Sequence, residues 1–288
     1  MTTKVERTNY YVPDGTYWPI LGSIGLTTLI VGFINILNGG NGKYMMIAGA
    51  AILIYMLFGW FGEVVRESES RTYGVWEDKS FRLSMSWFIF SEVMFFAAFF
   101  GALFYARVLS VPWLGGAGEE LETFKWLWNS YEAVWPTNGP GNVGGEYIPM
   151  GAWGLPALNT IILLTSGVTV TWAHHALKQN NRKNLIIGLA ATVTLGYLFV
   201  GLQMVEYSHA YHDNLTLGTG IYGSTFFMLT GFHGLHVTLG AVMLTVVLFR
   251  SMKGHFDSEN HFAFEAAAWY WHFVDVVWLG LFIFVYWL

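Results

Sequence analysis

The chain has 288 residues, of which 54% are hydrophobic and only 11% charged, against about 25% charged in an average soluble domain. A soluble fold of this size has no means of hiding that much apolar surface, and a mean hydropathy of +0.45 points to an integral membrane protein. The net charge of −5 gives no footprint for nucleic acid, and the lack of cysteine excludes disulfides, thiolate metal sites and cysteine-ligated iron–sulfur clusters from this chain.

Seven spans follow from the rule of about 20 apolar residues per crossing. The first 17 residues are polar, and no secretory leader is expected. The first span is Trp18 to Leu37. A glycine-rich turn, Asn38 to Gly42, leads into the second, Tyr44 to Gly62, so these two are expected to form a tight antiparallel hairpin. A charged linker follows. The third span is Leu83 to Ala106 and contains Glu92. One long loop, 107–154, is rich in Gly, Pro and Trp. The fourth span is Leu155 to Leu177, the fifth Leu185 to Val205 and the sixth Ile221 to Phe249. The seventh, Ala266 to Leu288, carries His272 and Asp275 at membrane depth, where an ionisable side chain must face protein, headgroups or water. The expected division is residues 1–65 as tail and hairpin, 66–82 as a charged cytoplasmic linker, and 83–288 as five further spans.

Orientation follows from Lys and Arg alone. With the N-terminus inside, Lys4, Arg7, Arg66, Arg71, Lys79, Arg82, Lys178, Arg182, Lys183, Arg250 and Lys253 all lie inside, which is 11 of 14 positive charges. The C-terminus and the long loop are then outside.

Nine histidines raise the question of a metal. Di-iron membrane enzymes use more histidines, clustered at helix ends. A bis-histidine haem needs two on facing helices at equal depth, which His236 and His272 barely offer. No second ligand pair completes a site, so no metal is expected here, and the simpler reading has these imidazoles hydrogen-bonded within the bundle. Asp275 is three residues after His272 and shares its face. Glu265, seven before His272, shares it too. The sixth and seventh helices run antiparallel, so His233 or His236 is expected to reach His272 or Asp275. A polar network that locks the helices together is the simpler account, and a proton relay would need a continuous file of groups. Glu92 lies ten residues past Arg82, about 15 Å along the axis and near mid-bilayer. Apolar surroundings oppose charge on a carboxyl. Both a hydrogen-bonded acid and a proton carrier stay open. Arg66, Glu67, Arg82, Arg250 and His255 fall at the inner edge, with Trp60 slightly deeper, and basic groups there suit lipid phosphates.

The strings YVPDGTYWPILGS, EVVRES, IFSEVMFFAAFF, LNTIILLTSGVTVTWAHHAL, YGSTFFMLTGFHGLHV and HFAFEAAAWYWHFVDVVWL now stand together. In order and over nearly the whole chain they resemble subunit III of cytochrome c oxidase, in the haem–copper oxidase superfamily. Only Ser110 to Gly151 is weakly matched. The resemblance implies an all-α polytopic fold: a two-helix hairpin and a five-helix bundle separated by a V-shaped, lipid-filled cleft. It implies no catalytic residue and no redox cofactor on this chain, with haem and copper in partner subunits I and II. Cytochrome c would reach the complex through another subunit. By motif position, Trp60, Arg66, Glu67, Arg82, Arg250 and His255 would contact phospholipid headgroups, and Glu92 matches a carbodiimide-reactive carboxyl. The implied role is to stabilise subunit I and support proton uptake in a proton-pumping oxidase that reduces oxygen to water. A quinol oxidase subunit is the alternative, although such relatives usually lack the first two helices. The opening YYVPDGTYWPI and the extended third loop suggest a bacterial plasma membrane, with a cytoplasmic N-terminus and a periplasmic C-terminus, over a mitochondrial inner membrane.

Overall fold

The computed structural model describes residues 10–12, 15–118 and 121–288, and the regular structure of these residues is entirely helical. Among the described residues, seven helices are long and apolar enough to cross a membrane. Contacts divide the chain into two units, 1–83 and 84–288.

The first unit is built on α1 (Trp18–Leu37) and α2 (Lys43–Glu69). Pro19 sits in the first turn of α1, where its missing N–H costs nothing. Beyond α1, Gly39 takes a φ of +77°, the left-handed conformation that lets the chain reverse at once. The two helices approach at small residues, as membrane helix pairs do. Gly25, Gly32, Gly42 and Gly49 are buried here. A Cβ on Gly32 would lie 2.6 Å from the backbone nitrogen of Met46, and one on Gly49 would lie 2.5 Å from that of Leu29. Gly59 leaves room for the Trp18 ring, whose indole N–H donates to Glu63 Oε2 at 2.6 Å.

In the second unit, α6 (Leu155–Lys178), α7 (Arg182–His212), α8 (Gly220–Lys253) and α9 (Phe262–Leu281) pack in sequence, and α6 also meets α9. Asn181 caps α7 by accepting from the Asn184 N–H at 3.2 Å. Gly254 ends α8 in the left-handed conformation, φ +80°. The Arg182 guanidinium donates to the Met252 carbonyl and ties the start of α7 to the end of α8. The core between these helices holds Phe199, Phe226, Phe264, Trp271 and Trp278, all essentially fully buried. A buried indole needs an acceptor. Trp271 finds Ser166 Oγ and Trp278 finds Thr160 Oγ1, each at 2.9 Å, so α9 is stitched to α6. Part of α3 (Val75–Phe104) joins this unit through Phe95 against Phe232 and Phe96 against Phe273.

The element ends depart from the expected ones. The segment 66–82, expected as a linker, is helical except near 70–74, because α2 runs on to Glu69 and α3 starts at Val75. It contains no proline, and Glu77 and Asp78 in the first turn of α3 complement the helix dipole. The third span does not stop at Ala106. It passes through a widened π-helical turn, Tyr105–Ser110, into α4 (Val111–Leu114). Pro112 would clash with a carbonyl in a regular helix, and a widened turn just before it relieves that. The long loop after the third span also carries α5 (Glu122–Leu127), and α9 closes in a second π-helical turn, Phe282–Trp287. Lys4 and Arg7, counted for orientation, lie outside the described residues.

Candidate functional site

Within the first unit, Glu67 sits in a tyrosine pocket. It accepts from Tyr73 Oη at 2.5 Å and from Tyr11 Oη at 3.3 Å. Burial and the Glu67 carboxylate push the Tyr73 hydroxyl above its ordinary pKa. Glu77 is buried and accepts from the backbone N–H groups of Tyr11 (2.5 Å) and Gly74 (2.8 Å), which fixes the α2–α3 turn. Arg82 pairs with Asp78 at 3.0 Å, one helical turn apart. Arg66 and Trp60 are exposed. Of the expected headgroup contacts in this unit, Arg66 and Trp60 present open surface, and Glu67 is already engaged by protein.

Within the second unit, the Arg250 guanidinium lies 4.5 Å over the Phe256 ring. The backbone N–H of His255 donates to the Arg250 carbonyl at 3.1 Å, so the left-handed turn at Gly254 holds both residues near one another.

Glu92 meets His236. Its Oε2 lies 2.8 Å from His236 Nε2. His236 Nδ1 is 2.6 Å from the Phe232 carbonyl, which can only accept, so Nδ1 carries a proton. The short Glu92–His236 contact then needs a proton of its own, resident on the carboxyl or on Nε2. Phe95, Phe96, Tyr270 and Phe273 surround the imidazole. The pair is a place where one proton is held at the middle of a span by groups from α3 and α8.

The other expected network residues separate. His233 is buried, and its Nε2–H donates to the Val274 carbonyl at 3.2 Å, a side chain of α8 gripping the backbone of α9. His272 and Asp275 are a local pair, Nδ1 to Oδ2 3.4 Å, turned toward α6: His272 Nε2 is 3.2 Å from Thr171 Oγ1. A Cβ on Gly167 would lie 2.4 Å from Asp275 Oδ2, so that glycine makes the space the carboxylate fills. Glu265 joins neither. Its Oε1 lies 3.4 Å from His174 Nε2 and 3.3 Å from His261 Nε2, where α6 ends and α9 begins. The sequence suggested one patch between the sixth and seventh helices; the fold gives four separate arrangements and brings in Glu92, His174 and His261.

Two sets of residues escaped sequence reasoning. His261 and Glu265 are spaced i,i+4 at a helix start, a readable signal, but His174 reaches them only through the packing of α6 on α9. Gln203 and Glu206 are buried on α7, with Tyr286 beside them. A Gln-x-x-Glu pair one turn apart inside a span was the available signal.

Comparison with known proteins agrees with this architecture. A family model described as cytochrome c oxidase subunit III matches residues 8–122 and 126–288. Proteins named cytochrome c oxidase subunit 3 from Tetraodon nigroviridis and Carassius auratus are each 40% identical over 279 residues, covering 96% of this chain and 96% of theirs. One from Squalus acanthias is 39% identical over the same span. These relatives are vertebrate, so they lend the bacterial expectation no support, and a quinol oxidase subunit is not favoured. Matched from end to end by both the family model and full-length relatives, the chain belongs to the cytochrome c oxidase subunit III family.

Proposed function

We propose that within cytochrome c oxidase, an oxidoreductase complex, this chain is the subunit without a redox centre. It stabilises subunit I, supports proton uptake and binds structural phospholipid, while haem and copper reside in subunits I and II and cytochrome c docks on another subunit. The supporting observation is the Glu92–His236 pair, a proton-holding contact at mid-span between α3 and α8. Such a pair fits a subunit that supports proton chemistry. Lipid headgroups are held by Arg66 and Trp60 on the first unit, where Arg82 and Glu67 shape the polar edge, and by Arg250 and His255 on the second. The division into 1–65, 66–82 and 83–288 serves this reading, with the middle segment at the inner surface. The N-terminus lies on the proton-uptake side and the C-terminus on the other, because the basic residues crowd the former.

The test is Glu92→Gln in the assembled oxidase. The haem spectrum and initial turnover are expected to be retained, with a shorter active lifetime under sustained turnover. Abolished initial turnover would contradict the accessory role and make Glu92 an obligatory proton carrier.

A further inference from the structure

We propose that His174, His261 and Glu265 form a binding site for a borderline divalent metal ion of the zinc class, clasping the end of α6 to the start of α9. This goes beyond the accessory role above and does not depend on it.

The three donor atoms, two imidazole Nε2 and one carboxylate Oε1, all lie within 4.8 Å of one another. The two nitrogen-to-oxygen separations are 3.4 Å and 3.3 Å. Zinc bonds to imidazole and carboxylate at about 2.0–2.1 Å in a tetrahedron, which places neighbouring ligand atoms about 3.3 Å apart. Two of the three edges already have that length. The third closes by a small rotation of the His174 ring, which is the least buried of the three.

The second observation concerns lone pairs. His261 Nδ1 lies 2.9 Å from the Asp257 carbonyl, so Nδ1 carries the proton and donates it. In the neutral ring, Nε2 is then a bare acceptor. It lies 3.3 Å from Glu265 Oε1, also an acceptor when ionised, so a metal ion or a proton is needed to make that contact favourable. A backbone carbonyl fixing the far nitrogen is the usual outer support of a metal-bound histidine. A proton is the competing occupant. However, the Nε2 atoms of His174 and His261 are buried and have no hydrogen-bond partner among the described residues, although Glu265 stands within 3.4 Å of both. Two buried imidazole nitrogens therefore stand beside one carboxylate oxygen without a hydrogen bond to it. The His261 side chain is only 7% exposed, so bulk water does not satisfy it.

Two imidazoles and one carboxylate are a donor set for zinc, with copper(II) and nickel(II) as chemical relatives. The set suits magnesium and calcium poorly, since these take oxygen ligands. The partly exposed His174 gives the ion an entry side and leaves a fourth position for water. Lys178, one turn further along α6, adds a like charge and moderates affinity.

The experiment uses the purified oxidase, stripped with a chelator and titrated with zinc chloride, with bound zinc counted per haem iron. His174→Gln and His261→Gln are titrated alongside. The intact complex is expected to bind one more zinc than either variant, or to hold that ion about 100-fold more tightly, since even outer-shell partners are worth 10–100-fold. Equal stoichiometry and affinity in all three would overturn the proposal and leave a proton as the occupant. Because a variant can fail to assemble, the unmodified complex is also crystallised with zinc. An anomalous peak among the three side chains supports the site; its absence at saturating zinc refutes it.

Discussion

At the scale of single residues, the chemistry of this chain rests on pairs that lie far apart in sequence. Glu92 and His236 are 144 positions apart, and Trp271 and Ser166 are 105. The sequence marked Glu92, His233, His236, Glu265, His272 and Asp275 as costly at membrane depth, because apolar neighbours are visible in one dimension. It offered the local pair of His272 with Asp275 but not the partners on other helices, because these depend on how α3, α6 and α8 rotate about their axes. His233 illustrates this: its partner is the Val274 carbonyl, and no side-chain pattern announces a backbone acceptor. Gly167 illustrates it again, since only the fold shows that its missing Cβ is the space occupied by Asp275. Gly167→Ala is therefore expected to displace that carboxylate and cost about 1–3 kcal/mol, as overpacking does. It should be read as a lower thermal midpoint of the complex, with Gly101→Ala as control because nothing lies within 4 Å of a Cβ there. Equal midpoints for the two variants would contradict the assignment.

At the scale of elements, the spans were legible because a run of about 20 apolar residues has few alternatives in a membrane protein. Their ends were not. α7 has 31 residues and α8 has 34, about 47–51 Å at 1.5 Å per residue, so each outruns a hydrocarbon layer of about 30 Å. The overhanging turns are polar, and hydropathy alone cannot tell a polar helix end from a loop. The widened turn before Pro112 was hidden for the same reason, with proline suggesting a loop rather than a helix that absorbs it. The hairpin was readable from its glycines, and their contacts say why. Gly49→Leu should force the α1 and α2 backbones apart, since even a Cβ would stand 2.5 Å from the nitrogen of Leu29. We expect several-fold less assembled oxidase on purification, whereas Gly62→Ala, which meets nothing within 4 Å, should assemble normally. Normal yield from Gly49→Leu would show that the helices do not pack through these glycines.

At the scale of the whole molecule, the proposed lipid role belongs to the basic residues as a set. Any one of them is explained by the positive-inside bias alone. Replacing Arg66 and Arg82 together by Gln should lower the phospholipid retained per complex in native mass spectrometry and shorten the active lifetime. Unchanged retention would count against these positions as headgroup contacts. Family membership was legible in the sequence because the motif strings run the length of the chain. The pairings between helices were not: His174 meets Glu265 and His261 only through the packing of α6 on α9.

The central claim is that this subunit carries no redox centre within the oxidase, and its most direct test is spectroscopic. The chain is purified with its partners in mild detergent, then separated from them. Reduced-minus-oxidised spectra and iron and copper analysis are recorded on each fraction. The account predicts that haem and copper travel with two larger subunits and that the separated chain has neither. Haem or iron remaining on the separated chain would make its histidines redox ligands and contradict the division of labour proposed here.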